Sequence, residues 1–399
     1  MNNPLSSASR RALRALSIAY FVQATGALCV AGSLPAISAA WHLSDAQSAR
    51  LLSLFGLTFA LAAPLVQVFF GHHRRRQLVL TGMVLFGLGA FAFALAPAYP
   101  GLIAARVIMG IGAGFIGPVL VALGAELVQE PQRGQAIARV LLGVSLASLA
   151  GIPLAAWIAS LWGAKALFAL TGGVSLLSGL HILLTVPANG AGQRIRFTEL
   201  TQVLREGQYL TAFLVVFFIT SGVYSFYAFI APVVRDTYAG GSHAVSSALA
   251  VLGVAGVLRN LTVSRVAVRY SAEKLLMAGM MLLLADMLLL VLLPALLGGL
   301  LVALLFWAFA TDLLWPSQQR RIVEIASARH RGIALALTSA FMFAGIGFGS
   351  AVASWIYPLM GFNGLIAVSA LFILLALLSL RASEQRRKPA AAACCRGEA

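Results

Sequence analysis

The sequence predicts an all-α membrane protein, with twelve transmembrane helices in two pseudo-symmetric six-helix bundles and both termini in the cytoplasm. Three observations predict it. The chain is 60% hydrophobic and only 10% charged, against roughly 25% charged in a soluble domain. Apolar runs of about 18 residues or more recur along its whole length, and each is long enough to cross a hydrocarbon core. Of the 28 Lys and Arg, 23 fall on one side of the runs and only Arg50, Lys165 and Arg235 on the other. A bias of that size puts the basic side in the cytoplasm. The net charge of +16 is thus mainly a topology signal with some attraction to anionic lipid. It forms no basic stripe with interleaved aromatics, so nucleic acid is excluded as a partner.

The expected spans are 16–39, 49–69, 78–97, 101–128, 136–160, 165–186, 208–233, 244–264, 275–294, 297–317, 332–356 and 363–381. The first follows Arg10, Arg11 and Arg14, like the start of a signal peptide, but it is too long for one and is read as retained. Residues 1–186 make the N-terminal bundle, 187–207 a cytoplasmic linker, and 208–399 the C-terminal bundle with its basic tail. In the linker Phe197, Leu200 and Leu204 share one helical face. They predict a short helix on the membrane surface, with a plain connection as the alternative. The halves repeat weakly. Gly56 and Gly82 match Gly253 and Gly279, and Leu-Phe-Gly-Leu at 54–57 matches Leu252-Gly253-Val254 at an offset of 197. Such a repeat is expected where two bundles enclose one midplane site.

Span 5 carries Gly143, Ala147, Gly151 and Ala155, a small residue every fourth position. Such a face lets another helix approach closely. Gly345, Gly349 and Ala353 make a similar ladder in span 11. Four ionisable residues lie inside spans: Arg106, Arg259, Asp286 and Asp312. Each costs at least ~2.5 kcal/mol at a helix centre, so each predicts a partner, water or a function. Arg259 and Asp312 are both about six residues, roughly 9 Å, from the cytoplasmic ends of their spans. Equal depth allows a salt bridge, read either as a structural clamp or as a proton-linked gate. Asp286 in span 9 is either a neutral structural acid or a proton carrier. Arg106 is either a packing donor to neighbouring carbonyls or an electrostatic element of the substrate site. Glu126 is expected to pair with Arg133 or with the Arg74–Arg76 cluster, as a gate or helix-end partner. Phe217, Thr220, Tyr224 and Tyr227 fall on one helical face of span 7, suited either to packing or to a small molecule. Gln23 and Trp307 are further substrate-binding candidates.

Cys29, Cys394 and Cys395 offer no disulfide framework or spaced metal set, and the six histidines do not cluster. No phosphate-cradling Gly-Lys loop precedes a helix, so ATP driving is not expected. No nucleophile and base are spaced for catalysis. Neither an enzyme nor a cofactor is implied.

Arg106 followed by Gly110, Gly112 and Gly114, then Arg133-Gly134, then Gly143, Gly151 and Pro153 in span 5, resemble in this order the major facilitator superfamily and its twelve-span drug and sugar efflux branch. The stretch from Leu34 to Pro64 resembles the first helical hairpin of that branch, and the resemblance covers roughly 15–380. It implies a secondary transporter of the inner or plasma membrane that exports a small organic molecule by alternating access, by proton antiport. It makes Gly143, Gly151 and Pro153 an antiporter-like motif, turns Arg106 toward a central cavity and puts span 9 at the periphery. The sequence departs from the family pattern at three places. Gln67 and Gly71-His72 replace the Gly and Asp-Arg of the loop after span 2, Ala27 stands near the usual span-1 acid, and Ala155 and Ala156 replace part of the span-5 motif. The partners implied are protons, membrane lipids and a substrate that is neutral, zwitterionic or anionic, since Arg106 without a span-1 acid leaves the first half net positive. The alternatives are an uptake permease for an organic anion or metabolite, and a non-transporting membrane sensor or scaffold.

Overall fold

A computed structural model describes residues 6–188, 192, 196–241, 244–245, 247–248, 251–252, 270–292, 296–326 and 331–394, excluding the side chains of 131, 312, 331–332 and 386–394. Among the described residues the chain is helical and no strand forms. It divides into two compact units, Met1–Ile195 and Arg196–Ala399.

The first unit opens with α1 (Ser7–Trp41), capped by the Ser6 hydroxyl on the Ser9 N–H and ended by His42 in the left-handed region. A capping box of Ser44 and Gln47, with Asp45 in the first turn, starts α2 (Asp45–Phe70). Both satisfy amide donors that a helix start leaves open. Then come α3 (Arg75–Leu95) and α4 (Tyr99–Glu126), the latter begun by Pro100, which has no N–H to orphan. After a 3₁₀ turn (Glu130–Gln132), α5 (Arg133–Leu146) runs through a π turn (Ala147–Gly151) into α6 (Ile152–Thr185). Gly163 breaks α6 with φ +80°, so the fifth and sixth expected spans meet without a loop. Nothing lies within 4 Å of a Cβ built there. Glycine is required at 163 by its dihedral, not by space.

The second unit begins with α7 (Phe197–Arg205), the short helix expected in the connection; its first turn is tied by Arg196 N–H donating to Glu199 at 3.3 Å. Next are α8 (Gly207–Tyr227), α9 (Ile230–Asp236), α10 (Ala272–Leu292), α11 (Leu297–Ile325) and α12 (Arg331–Cys394). Gly361, φ +57°, breaks α12 as Gly163 breaks α6. Among the described residues nine segments are long and apolar enough to cross a membrane, and two of them, Arg133–Thr185 and Ile333–Gln385, run to 53 residues each. That is more than twice the ~20 residues one crossing needs. The expected eighth span, 244–264, lies largely outside the described residues, as does Gly253.

The small-residue ladders are where helices approach most closely. A Cβ on Gly143 would sit 2.0 Å from the Ser17 carbonyl, and one on Gly151 would sit 2.1 Å from Thr25 Oγ1, both on α1. In the second unit Gly345 is 2.0 Å by the same measure from Thr220 Oγ1, and Gly349 is 2.2 Å from the Ser221 carbonyl, both on α8. The repeat is therefore carried by contacts. Gly151 on Thr25 corresponds to Gly349 on Ser221 at offsets of 196–198.

The π turn explains how a strict four-residue ladder stays on one neighbour. An α-helix turns about 100° per residue, so positions four apart drift by about 40° each step. Over Gly143, Ala147, Gly151 and Ala155 that drift would carry the last residues off α1. The turn closed by Ile152 N–H on the Ala147 carbonyl holds more residues, which winds the drift back. All four residues are buried.

Candidate functional site

Arg106 is 0% exposed. Its guanidinium joins α4 to two other helices: Nε donates to the Leu51 carbonyl at 3.1 Å, Nη1 to Gly26 at 3.2 Å and Nη2 to Ala27 at 3.0 Å. It also lies 4.5 Å over the Phe55 ring. A planar five-donor fork suits three carbonyls on α1 and α2, which an ammonium could not reach together. The charge is thus held by main-chain dipoles inside the first unit. Gln23 is 2% exposed, and its Nε2 has no partner among the described residues. Nearby, α1 and the two arms of α6 leave an open cleft of about 100 Å³, apolar except for Thr25 and Thr171, with Phe21, Leu154, Ile158 and Val174 in its walls. The π turn and Pro153 stand beside it.

In the second unit the expected stripe of α8 meets two helices. Phe217 packs on the Phe348 ring of α12, centroids 5.5 Å apart. Thr220 is fully buried against Gly345, its hydroxyl donating back to the Val216 carbonyl at 2.8 Å. Tyr224 and Tyr227 turn instead toward α11. Tyr227 stacks on Trp307 with centroids 5.7 Å apart and planes 8° off parallel, and Tyr224 meets Tyr227 edge-on. Trp307 is 5% exposed, and its Nε1 has no partner among the described residues.

Asp286 corrects an expectation. A peripheral span 9 implies a carboxyl facing lipid, yet Asp286 is 3% exposed, inside the second unit. The reason is its register. Gly279, Leu283, Asp286, Met287 and Leu290 form the buried stripe of α10 at helical spacing. Neither carboxylate oxygen has a hydrogen-bond partner among the described residues.

The helix ends carry charge pairs. Glu126 closes α4 and sits 2.7 Å from Arg75 at the start of α3, both partly exposed. Arg133 pairs with Glu130 at 3.4 Å on the surface. The second unit has a counterpart of opposite polarity that sequence reading missed. Glu273 starts α10 and lies 3.5 Å from Arg321 near the end of α11, while Arg321 Nη2 donates to Ser383 Oγ of α12 at 2.7 Å. Arg321 lies beyond the expected tenth span, 297–317, on a helix that runs on to Ile325. The signal was present in Leu314, Gln318, Arg321 and Ile322, spaced to bury one face of a helix that continues past 317. Arg259 lies outside the described residues; Asp312 is in α11 with its side chain outside them. No group of three His, Cys, Asp or Glu gathers for a metal among the described residues.

The two pairs differ in burial, and a comparison of variants reads that difference. Glu126→Ala is expected to cost less than about 1 kcal/mol, since exposed pairs are screened and mobile. Glu273→Ala removes a carboxylate from beside the fully buried Arg321 guanidinium and is expected to cost about 3 kcal/mol. Thermal unfolding of the two variants in detergent checks the order, and equal losses would show that Arg321 is otherwise neutralised.

Comparison with known proteins agrees with this architecture. The model of the Major Facilitator Superfamily matches residues 16–309 and 212–393. The inner membrane transport protein YdhP of Escherichia coli (strain K12) is 27% identical over 315 residues, 79% of this chain and 81% of that protein. An uncharacterized MFS-type transporter of Bacillus subtilis, YbcL, is 24% identical over 364 residues, 91% of this chain and 93% of that one. A chloramphenicol resistance protein of Streptomyces lividans is 29% identical over 276 residues, 67% of this chain and 69% of that one. Among solved structures, a bacterial homolog of the human lysosomal transporter Spinster, inward-facing and unoccupied, superposes with a TM-score of 0.72 at 15% identity, over 96% of this chain and 98% of that one.

Proposed function

The chain belongs to the major facilitator superfamily, and from that premise we propose that it exports a small organic molecule across the cytoplasmic membrane, driven by inward proton movement. It is a multi-pass membrane transporter and not an enzyme. Twelve spans with both termini inside, and alternating exposure of a midplane site, complete the reading. The observation that carries the export direction is the similarity to a chloramphenicol resistance protein, joined to the close seam of span 5 on α1 at Gly143 and Gly151. Candidate substrate contacts are Gln23 in the first unit and Tyr224, Tyr227 and Trp307 in the second. Phe217 and Thr220 hold α8 against α12, and Arg106 positions α1. Glu126 with Arg75, and Arg321 with Glu273, fasten helix ends as gating elements, with Arg133 on the surface beside them. Arg259 and Asp312 remain candidates for a further gate.

A neutral, zwitterionic or anionic substrate fits best. The buried charge of the first unit is the Arg106 cation, and no carboxylate is buried there among the described residues, so an organic cation would meet no counter-ion in that unit. Chloramphenicol, which is uncharged near neutral pH, is the first probe. In proteoliposomes an imposed pH gradient is expected to drive its accumulation against a concentration gradient, and a protonophore to abolish that accumulation. Downhill movement insensitive to the gradient would make the protein a facilitative permease. Absence of flux for chloramphenicol and for a wider panel of metabolites and drugs would leave the sensor alternative standing.

A further inference from the structure

We propose that Asp286 is the proton carrier of this transporter, a carboxyl group that takes its proton while enclosed in the second unit and yields it when the transport cycle wets it. The proposal rests on the proton-driven reading above and assigns its coupling step to one residue.

Asp286 is 3% exposed, and both of its oxygens lack a hydrogen-bond partner among the described residues. The residues around it on the α10 stripe are Leu283, Met287 and Leu290. Trp307 Nε1, on the neighbouring α11, is likewise buried and unpartnered. An ionised carboxylate stripped of water, with no donor and no counter-charge, is among the most costly groups a protein interior can hold. Something must neutralise it. A metal ion needs several further ligands at fixed distances, and an organic cation needs a cavity of its own size. A proton needs neither, and 3% exposure leaves room for nothing larger.

Among the described residues, the other charges near each packed element are already engaged or remote. On α10 itself Glu273 and Lys274 sit at the opposite end of the helix, as do Arg320, Arg321 and Glu324 on α11 and Arg381 on α12. At the end of α9 Arg235 and Asp236 pair with each other at 2.7 Å, and Tyr357 donates to Asp236 at 2.7 Å. Among the described residues, the titratable group that faces Asp286 is Tyr238, in the connection after α9. Burial raises the pKa of its phenol, and a charge on Asp286 raises it further. The side chains of Arg259 and Asp312 lie outside the described residues.

The position also suits the task. Asp286 is six residues from the Leu292 end of α10, roughly 9 Å from the side that the Lys and Arg distribution assigns to the outside. One O–H bond forms on an Asp286 oxygen with a proton from that side. The same bond breaks when water on the cytoplasmic side accepts the proton. No electrons move, and the carboxylate is regenerated.

The test uses full-length protein in proteoliposomes, with chloramphenicol as the transported probe and infrared difference spectroscopy as a readout that needs no substrate. The wild type is expected to show a protonated-carboxyl C=O band at neutral pH that is missing in Asp286→Asn. Gradient-driven chloramphenicol uptake should fall at least tenfold in Asp286→Asn, while exchange of labelled for unlabelled chloramphenicol persists. Asp286→Glu should restore part of the driven uptake. Asp286→Leu should unfold at a higher temperature than the wild type, because an unsatisfied acid has been removed from an apolar core. An identical carboxyl band in Asp286→Asn, or driven uptake equal to the wild type in that variant, overturns the assignment alone. A wild-type protein without any driven uptake overturns the exporter reading and the assignment together.

Discussion

Arg106→Ala is expected to lower the stability of the protein by about 3 kcal/mol, and Arg106→Lys to recover little of it. Hydrogen bonds to a charged group are worth about 1.5–3 kcal/mol each, and this guanidinium makes three of them, to Leu51, Gly26 and Ala27. The dehydration of a buried cation offsets part of that sum, which is why the expected loss is nearer one strong bond or two than three. Truncation also leaves a void at a site with no exposure, and the void adds to the loss. Lysine has one compact ammonium in place of a planar fork, so it cannot serve two helices and the face of Phe55 at once. Thermal unfolding in detergent, followed by intrinsic fluorescence, measures both variants. A lysine variant as stable as the wild type would show that charge alone matters here and that the fork geometry does not.

The second large effect is steric. Gly143→Ala and Gly345→Ala each place a methyl carbon about as far from an oxygen as a bond and a half, 2.0 Å from the Ser17 carbonyl in one unit and 2.0 Å from Thr220 Oγ1 in the other. At Gly345 the Phe217 carbonyl is also only 2.3 Å away. Backbone cannot yield as a flexible side chain does, so the helix pair must separate. Overpacking of this kind costs about 1–3 kcal/mol and occasionally more, and the upper end or beyond is expected here, with poor accumulation in the membrane. Gly173→Ala and Gly299→Ala are the controls. Both are helical with open space at the Cβ position, so each should be neutral or gain up to about 1 kcal/mol from the better helix former. Equal losses at all four positions would mean that the seams of α5 on α1 and of α12 on α8 are not tight.

Much of this architecture could be read before any coordinates. The apolar runs and the four-residue ladder of span 5 depend on length and spacing, which survive without knowledge of neighbours. The chemistry at single polar residues was less legible, because it depends on who the neighbours are. Arg106 is legible as a costly charge that neighbouring carbonyls could answer, but its spacing does not say which carbonyls, or that they come from two helices. The side of α10 on which Asp286 lies could have been read from Gly279, Leu283 and Leu290; the resemblance-based expectation of a peripheral helix overrode that pattern. Arg321 was hidden differently. A helix that runs on past the membrane-length window carries its buried face into residues that look like a basic loop. The span-7 stripe packs, as one of its two readings has it, but on two partners that the spacing does not name: Phe217 and Thr220 on α12, Tyr227 with Tyr224 on α11.

The wide turn at Ala147–Gly151 also fixes an azimuth. Rewound as ordinary α-helix, it would rotate everything after it by roughly a quarter of a circle, and Leu154 would swing into the place now held by Ala155. An isobutyl group cannot fit where α1 leaves room for a methyl, so the bulge works as a detent. The part of span 5 after the turn can present only one set of side chains to α1 for as long as that single surplus residue stays where it is.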